Sequence, residues 1–99
     1  MTSIYDVRFE KPAPTLPLTR KERDTFEAAL RRRPNIWALM GQHGSAGAAR
    51  QAAYSIRRGR YARAFQPAGA FEADAVTVMG EHRIYARYTG GAASEVGAR

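Results

Sequence analysis

Arg50, Tyr54, Arg57 and Arg58 recur at spacings of three, four and seven, which gather on one side of a helix. Arg60 and Arg63 follow directly, and Arg31, Arg32 and Arg33 stand upstream. A guanidinium grips two phosphate oxygens in one planar fork, and a tyrosine ring beside it can lie against a sugar or base. The chemistry on offer is anion recognition rather than bond cleavage. The alternative is a solvated helix face whose tyrosine fills a gap in the core.

The surrounding charge favours recognition. Between Glu27 and Glu72 there are 44 residues with eight arginines and no carboxylate. The first 27 residues balance five basic against five acidic groups, and residues 72–99 hold three arginines against four carboxylates. The net charge of +7 is therefore confined to one stretch. Such a field attracts polyanions or an acidic protein face. Fourteen of the sixteen basic residues are arginine. A GC-rich coding sequence would favour arginine over lysine, but it does not account for the missing carboxylates.

Other chemistry is poorly supplied. The absence of cysteine excludes disulfides and thiolate-held metals and fits a reducing cytosol. His43 and His82 have no cysteine partner and no helical spacing, so no metal site is expected. No glycine-rich phosphate loop, nucleophile elbow or HExxH element occurs, and Gly41, Gly44 and Gly47 do not make a GxGxxG. Alternation puts Glu72 and Asp74 on the sheet face shared by Arg83 and Arg87, which reads as surface ion pairing. A paired-carboxylate hydrolase is the weakest reading, since nothing else supports it. The chain is thus expected to be non-enzymatic, with no cofactor. Ser45-Ala46-Gly47 could present free N–H groups to a phosphate, although ordinary capping accounts for them. Arg83, Tyr85 and Arg87 could form a platform for single strands but lack a second aromatic strand. Trp37 reads as the centre of the core. Of Arg31, Arg32 and Arg33, the helix dipole needs one, leaving two available.

The elements that position these groups can be read locally. Residues 3–9 alternate weakly and could form an edge strand, and Pro12, Pro14 and Pro17 make the next stretch extended. Thr19 and Glu22 form a capping box for a helix over 20–33, which Pro34 ends. The apolar run 35–40 reads as a buried strand, with a short helix as alternative. A loop over 41–44 leads to a helix over 45–58, capped by Ser45 and stopped by Gly59. Its stripe of Ala49, Ala52, Ala53 and Ile56 is small and demands a close partner. Residues 71–79 and 82–88 form a hairpin around Gly80-Glu81, pairing Met79 with His82, Thr77 with Ile84 and Ala75 with Ala86. One hairpin face is small and apolar and matches the alanine stripe.

The expected fold is therefore a single α+β domain over 1–99, with two helices packed on a three-stranded, mainly antiparallel sheet. A winged helix is the alternative; it would place Arg50, Tyr54 and Arg57 in a major groove. Residues 1–18 are an N-terminal extension and 89–99 a disordered tail. The N-terminus has no signal-peptide core, and no run is long and apolar enough to span a membrane.

Pro34 and Trp37 in an aliphatic run lead to a Ser/Ala-rich helix ending Ile56-Arg57-Arg58-Gly59-Arg60. Residues 64–73, AFQPAGAFEA, and Tyr85-Ala86-Arg87-Tyr88 follow. Over about residues 34–88 the chain resembles a group of small, mostly uncharacterised proteins of actinobacterial phages. The resemblance carries no site residues; it implies a protein made in the host cytoplasm during infection. The expected function is nucleic-acid binding, of DNA or RNA, as a small phage regulator. The alternative is a host-takeover inhibitor whose basic face covers an acidic host protein surface.

Overall fold

The computed structural model describes residues 13–62 and 64–90. Helix α1 spans Arg20–Arg32, strand β1 Ala38–His43, helix α2 Ala46–Arg57, strand β2 Phe71–Val78 and strand β3 Glu81–Tyr88. The result is the expected α+β fold, with two helices and a three-stranded antiparallel sheet. The sheet order is β1-β3-β2, so β3 lies between the other two and runs opposite to both. The winged-helix alternative fails because no part of 35–40 is helical. The strand expected over 3–9 lies outside the described residues.

The caps of the first helix follow from its sequence. The Thr19 hydroxyl accepts from Glu22 N–H at 3.1 Å, and the Glu22 carboxylate accepts from Thr19 N–H at 2.8 Å, which satisfies two otherwise orphaned donors. Arg33 is already outside the helix, one residue before proline. Asn35 then takes φ +65 and donates its N–H to the Tyr88 carbonyl at 2.8 Å. This left-handed residue spends the expected first part of the strand as a turn. Strand β1 consequently starts three residues late and runs through Gly41 to His43, where a loop was expected.

Gly41 is needed there. A Cβ at that position would lie 2.7 Å from the Pro14 carbonyl oxygen and 2.8 Å from the Leu16 side chain. Residues 13–16 run beside β1, with Leu16 N–H donating to Gln42 O at 2.9 Å and Gln42 N–H to Pro14 O at 2.8 Å. Leu16 enters the core. The described part of the N-terminal extension is thus a strap on the fold. At the other end, just past β3, Thr89 donates through its N–H (2.9 Å) and hydroxyl (3.2 Å) to Ala70 O, which ties it to the residue before β2.

The alanine stripe of α2 packs where expected. Ala49, Ala52, Ala53 and Ile56 are buried with Ala73, Ile84 and Ala86. Phe65 joins the two helices to the sheet, meeting Phe71 edge-on at 5.2 Å and Phe26 at 6.5 Å between centroids. The hairpin register differs from expectation by two residues: Val78 faces Glu81, Thr77 faces His82 and Ala75 faces Ile84. The turn is Met79-Gly80, with φ of 50 and 81, the twist of a type I′ loop that suits a twisted hairpin. A shift of two leaves every side chain on its expected face.

Candidate nucleic-acid interface

The topology collects the charge at one end of the sheet. Strand β3 ends there, β1 and β2 begin there, and both helices finish there. The 58–70 connection binds the helix ends together. Arg31 donates to the Gln66 carbonyl, the Gln66 amide donates to the Gly59 carbonyl, and Gly69 N–H donates to Arg57 O at 3.1 Å. Among the described residues this end carries Arg31, Arg32, Arg33, Arg57, Arg58, Arg60 and Arg87 against Glu27 and Glu72, seven against two. The surplus of five positive charges thus sits at the sheet end.

These arginines do different work. Arg31 is occupied by the fold: it pairs with Glu27 at 3.2 Å and lies over the rings of Phe71 and Tyr88 at 5.2 and 4.9 Å. Arg57 donates to Ala73 O at 2.6 Å, capping the free edge of β2. Arg58 lies 4.9 Å over the Tyr54 ring and donates to its hydroxyl at 2.7 Å. The tyrosine is 41% exposed, so α2 presents a tyrosine-arginine pair to solvent rather than filling the core with the ring. Arg32, Arg33, Arg50 and Arg60 are exposed and make no side-chain hydrogen bond or ion pair among the described residues. Arg50 lies two turns back along α2, beside a cleft of about 60 Å³ shared with His82 and Thr77. Arg63 lies outside the described residues.

Trp37 was expected at the centre of the core, yet it is only half-buried and lies outside the core cluster. The positive-φ turn at Asn35 leaves Ile36 and Trp37 ahead of β1. There they line a groove of about 490 Å³ with Phe26, Ala29, Leu30, Arg32, Arg33 and Ala38. Ile36 is 54% exposed. Arg87 lies 4.7 Å over the indole and is held by Glu72 through contacts of 2.5 and 2.6 Å. Pattern reading alone missed this groove. The only available signal was Pro34-Asn35, a turn-forming pair placed just before the apolar run.

The opposite sheet face does not form an open platform for single strands. Arg83 and Tyr85 are buried, at 3% and 2% exposure. Arg83 donates to Glu81 at 2.7 Å and to the Tyr85 hydroxyl at 3.0 Å. That hydrogen bond holds the Glu81 carboxyl below the usual carboxylate range, against a smaller opposing effect of burial, and the Ala13 N–H adds to it. Glu72 and Glu81 lie at opposite ends of the hairpin, each paired with its own arginine. Ser45 caps α2 by accepting from Ala48 N–H at 3.1 Å, which uses the hydroxyl locally. Among the described residues no three His, Cys, Asp or Glu side chains group as metal ligands. No described helix is long and apolar enough to cross a membrane.

No protein-family model, curated protein or solved structure matches the chain.

Proposed function

We propose that this protein is a small non-enzymatic nucleic-acid-binding protein. It would meet the phosphate backbone through the basic end of its sheet and the exposed face of α2. The observation that carries this reading is the set of exposed arginines without side-chain partners among the described residues, Arg32, Arg33, Arg50 and Arg60, around the exposed Arg58–Tyr54 pair. Unpaired guanidinium groups keep their hydrogen-bond donors available for phosphate oxygens. The resemblance to phage proteins supports a regulator acting in the host cytoplasm.

The second reading, an inhibitor of a host protein, is favoured by a separate groove of about 530 Å³. Leu18, Phe26, Leu39 and Met40 line it beside both Lys21 and Glu22. Its mixed charge suits a protein surface better than a polyanion.

Fluorescence anisotropy with labelled DNA and RNA over a salt series separates the two. Arg60→Ala should lower the slope of log K against log salt by about 0.9 on duplex DNA, or about 0.7 on a single strand. Lys21→Ala, at the far end of α1, should leave the slope unchanged. Failure of the wild-type protein to bind any nucleic acid at about 50 mM salt would overturn the nucleic-acid reading.

A further inference from the structure

We propose that the groove between the end of α1 and the start of β1 receives unstacked bases of a single-stranded nucleic acid. The inference rests on the nucleic-acid reading and specifies the form of the polymer. Its lining combines an indole, a phenyl ring and aliphatic side chains with Arg32 and Arg33, and it includes no carboxylate. Both arginines are exposed and have no side-chain partner among the described residues. The groove therefore offers apolar surface to a ring and positive charge to the phosphates on either side of it. A duplex hides its base faces in the stack, so only an unpaired strand can use both features together. Its volume, about 490 Å³, lies within the range of ordinary ligand sites.

The indole is also held in place. Arg87 covers it at 4.7 Å and is itself fixed by Glu72. A ring already ordered loses little freedom when a base stacks beside it. An apolar protein segment would instead have to bring carboxylates to meet Arg32 and Arg33 at the rim. Charge complementarity with the net positive end of the sheet favours the polyanion.

Trp37 is the only tryptophan, so its emission reports directly on this groove. The test titrates the full chain at low salt with a labelled oligothymidine of about 20 nucleotides, longer than typical single-strand footprints. A duplex of the same length is titrated in parallel. The expected result is tighter binding of the single strand, with quenching of Trp37 by that strand alone. Trp37→Ala should cost about tenfold in single-strand affinity. Because Trp37 is half-buried, the double variant Arg32→Gln/Arg33→Gln provides a second arm. It should keep the wild-type circular dichroism while weakening single-strand binding by a similar factor.

Binding of both forms with unchanged Trp37 emission would overturn the groove assignment and leave the nucleic-acid reading standing. Equal quenching by duplex and single strand would also overturn it. If neither form binds, both readings fail. Quenching by an acidic peptide where oligothymidine has no effect would give the groove to a protein.

Discussion

Arg83 shows how little a residue's charge says about its place. It shares its hairpin face with the exposed Glu72 and Asp74, yet it is 3% exposed and bonds both Glu81 and the Tyr85 hydroxyl. Removing Arg83 takes from the Glu81 carboxylate the guanidinium that pairs with it at 2.7 Å. Arg83→Met removes a hydrogen bond to a carboxylate and should cost about 2 kcal/mol, read as a lower urea midpoint at unchanged m. The same contact has a pH signature. Glu81 titrates below its unfolded value because Arg83 bonds its charged form. Its contribution is complete above the ordinary carboxylate pKa and is lost as pH falls through the depressed one. Thermal midpoints of wild type and Glu81→Gln should converge as pH drops from about 5 to about 2. Parallel curves would mean that the carboxylate contributes nothing specific.

Among the elements, the hairpin and α2 make opposite demands. The turn residue Met79 has φ +50 and is 72% exposed, so it bears a left-handed backbone without packing in return. Asparagine tolerates that region and favours type I′ turns. Met79→Asn should raise stability by about 0.5–1 kcal/mol, measured by denaturation. A loss would show that the side chain has a partner in solution. Helix α2 permits no such freedom. Ala53 is 1% exposed and belongs to the same buried cluster as Ala73. Ala53→Leu should cost about 1–3 kcal/mol by overpacking, and an unchanged midpoint would contradict the close approach of helix and sheet.

At the scale of the whole molecule, one core links every element. Leu16 from the strap, Leu30 from α1, Met40 from β1, Ile56 from α2 and Phe65 from the connection all join the cluster around Phe71 and Ile84. A single shared core favours all-or-none unfolding. Trp37 fluorescence and far-UV circular dichroism should therefore report coincident urea transitions, although Trp37 lies outside the core. An earlier fluorescence transition would mean that the groove opens independently of the sheet. The same connectivity gives the surface its polarity. Antiparallel pairing and the return of the chain through α2 bring three strand ends and two helix ends together, and three arginines of the two helices meet there with Arg33, Arg58, Arg60 and Arg87.

The sequence by itself determined the two helices and their caps, the alanine stripe, the hairpin faces and the charge of the 28–71 stretch. Each is a local pattern whose period or capping residue is readable without knowing its neighbours. Only the tertiary structure decided the start of β1, the register of the hairpin and the fates of Trp37 and Arg83. A left-handed Asn35 displaced the strand, because its hydrogen bond to Tyr88 joins residues distant in sequence. The turn chose Met79-Gly80 because backbone twist favoured type I′, a preference that residue alternation cannot report. Sequence also could not tell which arginines would lack a partner among the described residues. Arg31 and Arg32 are adjacent and chemically identical, but Arg31 points at Glu27, Phe71 and Tyr88, while Arg32 lines a groove. Long-range packing makes that distinction, since it decides which guanidinium finds a partner among the described residues and which stays exposed.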